Sequence, residues 1–558
     1  MSGSSVMQRP VSDSAPTRWT VSRWWAPVAG LIVVAAALST TTLLAALGIW
    51  WKWLSSAASP LDSLANTFIV LTPEWLKEFA IAHFGTHDKT ALGAGMYASI
   101  VVLALILGLV ARKHRRIAIA LLAILVVVTA IAILTRAHST VFDLIPLLIG
   151  AAAGIALIRL LFGSLGATRP AVADDQPAPA TATATATATD TDTDTEVTSK
   201  AGSTVGRRTF FRRVGLAGVA TVAVGVVGRI IPTGASARAS RAAVKLPVPG
   251  NRVVIPAGAE QKVPGQAPLI SPNTGFYRID TEFNPPELTT ADWTLTIKGM
   301  VEHPTSIDYD QLTKRPQIER AITMTCVSNE VGGTLAGNAV WIGARIDDLL
   351  KEAKPTAGAD CVLCTDVNGF TISAPLEALT DGRDAILAVG MNGEPLPIEH
   401  GFPVRMVVPG LYGYVSATKW IASMEVTTFA KVTAYWTQRG WSDHGPIKTA
   451  SRIDTPGAFA QVPQGKVAVA GVAWAQHRGI KKVEVQVEDG PWEPAELSTP
   501  LSVDTWVQWK YAWDAKGSGL KTLRVRATDG TGTLQTETRA GTIPNGSSGW
   551  HSRQVTLS

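Results

Sequence analysis

Five apolar runs constrain this chain more than any other feature of its 558 residues. They lie at about 26–50, 91–111, 117–135, 141–162 and 214–231. Four of them approach or exceed the roughly 20 residues needed to cross a bilayer as a helix, with no charge near the centre. Buried core helices are the competing reading. It is the weaker one, because four of the runs are this long without a central charge. The first run ends in Trp50, Trp51 and Trp53, side chains suited to a headgroup region.

The charge balance assigns an orientation. Net charge is +6, but the basicity is local. Residues 1–165 hold 12 Lys+Arg against 6 Asp+Glu, residues 166–245 hold 10 against 6, and residues 246–558 hold 28 against 32. The largest segment is acidic, so no nucleic-acid partner is implied. Arg9, Arg18 and Arg23 precede the first run, and Arg112, Lys113, Arg115 and Arg116 separate the second from the third. Basic short loops face the cytoplasm, so an odd number of spans leaves everything after about 235 outside it. The expected organisation is a four-helix transmembrane region at 1–165, a disordered linker at 166–213 and a fifth transmembrane helix at 214–232. An exported region follows at 246–459 and 460–558.

Within the linker, TATATATATDTDTDTE offers no apolar face to bury. GRRTFFRRVGLAG (206–218) then pairs arginines with aromatics ahead of a weak apolar run. Two readings stay open here, a twin-arginine export signal and plain positive-inside flanking. His83, His87, His114 and His138 form no evident haem-ligand pair, and no CxxCH is present.

From 246 onward, short Val/Ile/Thr/Trp-rich segments alternate with Gly and Pro, as in WTLTIKGMV (293–301) and KKVEVQVEDGPW (481–492). These read as strands joined by turns at Asp489-Gly490 and Asp529-Gly530. IDDLLKEA (346–353) and PLEALTD (375–381) read as short helices. A mixed α+β domain at 246–459 is expected, then an immunoglobulin-like β-sandwich at 460–558.

Four motifs in order carry a family resemblance: SPNTGFYRID (271–280), ITMTCVSNEVGG (322–333), IEHGFPVRMVVPGLYGYVSATKW (398–420) and the tail from GVAWAQHRGIKKVEVQVEDGPW (471–492) to Trp550-His551. Together they resemble the sulfite oxidase superfamily of molybdopterin-dependent oxidoreductases, over roughly 265–558. The resemblance implies a sulfite oxidase fold, a molybdenum–molybdopterin cofactor (Moco) and a dimerisation module at 460–558, which leaves a homodimer open. It implies Cys326 as the thiolate ligand to molybdenum, a soft donor for a metal that otherwise takes the pterin's sulfurs. It implies Arg278, His400, Arg405, Ser416, Thr418 and Lys419 as cofactor-binding residues, with Asp366 as an acceptor for the pterin ring. Arg forks and a Lys charge suit a phosphate-bearing heterocycle. Arg278 and Arg478 would orient the substrate, with Arg439 and His477 as further candidates. Taken alone, each residue also has a bland reading: an inert buried thiol for Cys326, a strand-edge ion pair for Arg405, a solvated flank for Lys419.

Two departures bear on substrate. Asn329 is followed by Glu330 and Val331 where sulfite oxidases proper reach an arginine, and Trp441 stands where they carry an active-site tyrosine. Indole offers a bulky face and one N–H in place of a hydroxyl. The reading is an extracytoplasmic, membrane-anchored oxidoreductase of bacterial type. It would move an oxygen atom to or from sulfite, a sulfoxide or another S- or N-oxide, exchanging electrons with a separate haem- or quinol-linked partner. The alternative is a surface-displayed binding protein with a cofactor-free, degenerate core. Cys361 and Cys364, three apart on an expected strand, read as structural thiols in preference to a redox pair.

Overall fold

The computed structural model describes residues 24–73, 76, 79, 83–84, 88–136, 139–162, 201–230 and 235–558. The arginines before the first apolar run, the Thr/Asp tract, His87 and His138 lie outside the described residues. Two compact units are present. The first comprises 1–60, 94–135 and 139–231; the second comprises 61–93, 136–138 and 232–558.

In the first unit the apolar runs are helices: α1 (Ala26–Trp50), α2 (Pro60–Leu71), which passes into the second unit, α3 (Asp88–Lys113), α4 (Arg115–Leu134), α5 (Ile145–Phe162) and α6 (Ala201–Ile230). All but α2 belong to the five helical segments long and apolar enough to cross a membrane. Small residues let these helices approach closely. A Cβ on Gly30 would stand 2.2 Å from the Ala104 carbonyl oxygen, and one on Gly108 2.1 Å from that of Ala26. Asp143, fully buried, accepts from the backbone and hydroxyl of Ser55 at 2.8 and 2.9 Å. Helix α6 begins at Ala201, so the expected linker does not reach 213: Arg207 and Arg208 fall within helix. The segment 201–213 contains no Pro and holds four arginines, good helix formers.

The second unit carries the strands. After α7 (Ala235–Ala243), one five-stranded sheet runs β2-β1-β10-β5-β6, built from β1 (Thr294–Gly299), β2 (Thr305–Asp308), β5 (Cys361–Asp366), β6 (Thr371–Pro375) and β10 (Ile421–Thr427). Only the β1–β10 pair is parallel in it. An antiparallel sheet runs β3-β4-β7-β8, with β9 added on β7; its strands are β3 (Gln317–Thr325), β4 (Ala336–Arg345), β7 (Ile386–Met391), β8 (Glu394–Pro395) and β9 (Arg405–Val407). Short helices α8 (Tyr309–Thr313), α9 (Ile346–Ala353), α10 (Leu376–Thr380) and α11 (Gly413–Ser416) fill the connections. Both expected helices are therefore present.

The C-terminal part pairs a four-stranded sheet, β11-β13-β17-β16, with a five-stranded one, β12-β19-β18-β14-β15. The first holds β11 (Ala450–Thr455), β13 (Gly465–Trp474), β16 (Glu496–Leu497) and β17 (Val507–Ala515). The second holds β12 (Gln461–Val462), β14 (Ile480–Val487), β15 (Trp492–Pro494), β18 (Gly519–Asp529) and β19 (His551–Leu557). All pairs are antiparallel except β12–β19. Strand β11 places the boundary before the expected 460, because Pro456 and Gly457 interrupt the strand pattern and hide its partnership with β13. Val469, Val483, Trp509, Val525 and Val555 make its shared core.

Cys361 and Cys364 are reduced and fully buried on β5, whose both faces are covered. Cys364 Sγ rests 3.8 Å from Met406 Sδ.

Candidate cofactor and substrate site

A cavity of about 450 Å³ opens in the second unit, and five of the expected residues line it: Cys326, Asp366, His400, Arg405 and Lys419. Residues separated by almost a hundred positions meet here because sheet edges and turns converge.

Cys326 is the first residue past β3. Its N–H donates to the Leu335 carbonyl at 2.9 Å, and its own carbonyl accepts from Asn329 N–H at 3.1 Å. Asn329 Oδ1 in turn accepts from Leu335 N–H at 2.8 Å, closing the loop. Gly332 holds φ at +83°, and a Cβ there would stand 2.3 Å from the His551 ring. Only glycine fits both demands. The C-terminal sheets brace the same loop: Ser547 Oγ donates to Asn329 O at 2.7 Å and Arg452 Nη1 to Gly333 O at 2.8 Å. Burial pushes the Cys326 thiol up.

Arg405 and Lys419 are partners across an antiparallel bridge, which puts both side chains on one face. Arg405, 4% exposed, lies 5.2 Å over the Trp341 ring and donates to the His400 carbonyl at 3.1 Å. Burial draws it down to about 10. Lys419 Nζ pairs with Asp280 at 2.6 Å; burial lowers it to about 8 against the pull of Asp280. Burial opposes ionisation of Asp280, yet Lys419 and Arg278 outweigh it and hold the carboxyl below its ordinary range. His400 donates from Nε2 to Asn273 O at 3.2 Å. Burial, then Lys419 and Arg405, lower it to about 3, so the ring is neutral. Asp366 accepts from Asn368 and Phe370 N–H, and burial with neighbouring Glu282 raises it to about 7.

Several buried donors here have no partner within the protein: Arg405 Nε, Trp420 Nε1, Trp441 Nε1 and Thr418 Oγ1, together with Arg278 Nη2. Arg405, Trp420 and Trp441 line the cavity. Buried donors are normally satisfied, so this cluster fits an acceptor-rich, anionic guest such as a phosphate-bearing pterin. Cys326 lies on the same wall, a soft donor beside that cluster.

The expected substrate arginines are placed differently. Arg478 does not line the cavity; its guanidinium donates to Asp529 at 3.0 Å, Ile447 O at 3.0 Å and Thr449 Oγ1 at 3.2 Å. The direct substrate contact expected of it is corrected accordingly, because Asp529 captures the fork. Arg278 is also off the cavity wall and binds Asp280 at 3.0 Å. Arg439 lies 3.6 Å over Tyr435. Ser416 donates to the Leu411 and Tyr412 carbonyls at 3.1 and 2.9 Å, so its hydroxyl proton is engaged within α11.

Sequence reasoning missed Tyr277, Asp280 and Trp420 on the wall. All three lie inside or beside the quoted motifs, and Asp280 in particular could have been found as the partner Lys419 requires. It also missed Phe68 and Ile69, from the segment between the first two apolar runs, and Leu92 at the start of the second. No local signal marks those.

A family model described as "Oxidoreductase molybdopterin binding domain" matches residues 282–436. The chain is 32% identical over 153 residues to "Uncharacterized oxidoreductase YuiH" of Bacillus subtilis (strain 168), covering 27% of this chain and 74% of that one. It is 30% identical over 251 residues to mitochondrial sulfite oxidase of Mus musculus, covering 37% and 46%. The chain thus spans about half the length of the mammalian relative it matches. Among solved structures it is similar to the sulfane dehydrogenase SoxCD of Paracoccus pantotrophus, at TM-score 0.43 and 22% identity over 51% of this chain and 79% of that one. The chain belongs to the sulfite oxidase family of molybdopterin-binding oxidoreductases.

Proposed function

We propose that this protein is a membrane-tethered molybdopterin oxidoreductase with its catalytic unit on the extracytoplasmic side. It would transfer an oxygen atom to or from a small oxo substrate and exchange electrons with an external haem- or quinol-linked carrier. The observation that carries the reading is the set of unpartnered buried donors facing a cavity with Cys326 on its wall. When bound, the molybdenum cofactor supplies two-electron oxygen-atom chemistry.

The chain's own residues then divide the work. Cys326 is the candidate metal ligand; its buried thiol stays protonated until a cation stands beside it. Arg405, Thr418, Trp420 and Lys419 offer donors to phosphate and ring acceptors, and Arg278 adds its unpartnered Nη2. His400, held neutral, keeps one ring nitrogen as an acceptor. Asp366, protonated to about pH 7, can donate to the pterin ring as well as accept from it. Arg478 is proposed as a positioning residue, since it anchors Ile447 and Thr449 beside Trp441. The basic loop Arg112–Arg116, read as cytoplasmic, supports the orientation.

Metal analysis and pterin release from the full-length protein in detergent test the reading. Molybdenum and pterin near one per chain are expected in the wild type, and Cys326→Ser should lose oxidoreductase activity. A metal-free protein made with an intact cofactor supply overturns it. Reporter fusions after residues 114 and 245 test the membrane side.

A further inference from the structure

The segment between the first two apolar runs is built into the site. In α2, buried Asn66 accepts from Phe283 N–H at 2.7 Å, and Asp62 accepts from Asn284 Nδ2 at 2.6 Å. Lys89 donates to the Asp280 carbonyl at 2.9 Å. These bonds hold Asp62, Asn66 and Lys89 along 280–284, the stretch that carries Asp280 to Lys419. The segment contributes Phe68, Ile69, Leu76, Phe79 and Phe84 to the cavity wall, and Leu92 at the start of the second run joins them.

The wall's cations are Lys89, Arg405 and Lys419, and its carboxyl groups are Asp280, Glu282 and Asp366, the last protonated up to about pH 7. Lys419 is paired with Asp280, and Arg405 and Lys89 bind carbonyls. Arg278 binds Asp280 off the wall and is assigned to the cofactor above, while Arg439 stacks on Tyr435 and Arg478 pairs with Asp529. A phosphate-bearing cofactor would engage the remaining donors, leaving a small dianion such as sulfite an apolar wall and several carboxyl groups. Desolvating a dianion against such a surface is costly. An uncharged molecule with an organic group beside its oxo atom gains by the same burial.

We propose that the wall residues Phe68 and Ile69 of α2 set substrate class, selecting an uncharged organic S-oxide or its sulfide over sulfite. The inference rests on the oxidoreductase reading above. In the reductive direction the S–O bond breaks, the oxygen leaves as water with two protons, and two electrons arrive from the external carrier. The oxidative direction is the reverse.

Calorimetric binding to the full-length protein tests this with methyl phenyl sulfone, dimethyl sulfone and sulfate, all inert analogues. The phenyl compound should bind at least about tenfold tighter than either other probe, consistent with burial of one aromatic ring. Phe68→Ser/Ile69→Ser should weaken it about tenfold while leaving dimethyl sulfone within about twofold, and Phe68→Leu/Ile69→Val should retain the preference. Sulfate binding as tightly as the phenyl sulfone overturns the inference, as does a serine variant that weakens both sulfones equally. Molybdenum and pterin content of the same samples separates the two readings. Loss of cofactor with the phenyl preference intact overturns the oxidoreductase assignment alone; full cofactor with no preference overturns this one alone.

Discussion

The two units draw on the same apolar residues and place them oppositely. In α4, Ile124, Val127 and Ile131 are 56–58% exposed, whereas Trp293, Trp341 and Trp509 of the second unit are at most 1% exposed. The helices satisfy their backbone internally and can leave side chains facing hydrocarbon. The strand-rich unit must cover its apolar faces with its own chain. The difference teaches that hydropathy alone does not state what a residue packs against; the solvent of each unit does. It also explains why close helix approach depends on Gly30 and Gly108, while the second unit is held by interlocking indoles and buried amide bonds.

The contrast can be broken first at its most exposed point. Ile124→Arg, harmless on a water-facing helix, costs about 3 kcal/mol at a bilayer centre. Membrane-integrated protein should fall at least about tenfold by fractionation, and unchanged integration would deny α4 a lipid face. Trp293→Ala comes next. Its ring is buried and its Nε1 donates to Ile421 O at 2.8 Å, so about 3–5 kcal/mol should be lost from the second unit's stability. Denaturant unfolding followed by β-sheet circular dichroism measures it.

Gly332→Ala sharpens the comparison within the second unit. The added Cβ meets the His551 ring and the backbone sits at positive φ. We expect a destabilisation of about 2–3 kcal/mol, together with molybdenum content reduced severalfold. Retained metal would show that the Cys326 loop does not need the C-terminal brace.

The smallest effect concerns pH. Asp366 ionises near 7 when folded and near its ordinary value of 3.8 when unfolded. Between those values the folded state binds the extra proton, so this group's contribution to stability falls as pH rises through that window. Asp366→Asn removes that loss. Its melting temperature should exceed wild type by about 2–4 °C at pH 8 and match it near pH 4. An equal difference at both pH values would assign the effect to packing.

Much of this was legible beforehand because the signals are local. The first four apolar runs became helices within a few residues of their expected limits, and IDDLLKEA and DCVLCTDVNG took the forms expected of them. The helical start of α6 was obscured because an export-like pattern and a helix-forming one share the same arginines and aromatics. Strand β11 was obscured because its partner β13 is set by sheet pairing, not by its own composition.

The site divides along the same line. Cys326, His400, Arg405 and Lys419 were nameable as candidates only through motifs that resemble a known family's, and the structure lines them all along one cavity. Trp441 was readable as a departure from a pattern. What the sequence by itself determined is therefore the five long apolar helices, the family and a set of candidate donors. Only the tertiary structure decided which donors lack partners, that Asp280 holds Lys419, that Asp529 draws Arg478 away, and that Phe68 and Ile69 wall the cavity. The physical reason is range. Helix formation and membrane partitioning sum over neighbours in the chain, while a hydrogen bond or a cavity wall depends on residues that only folding brings together.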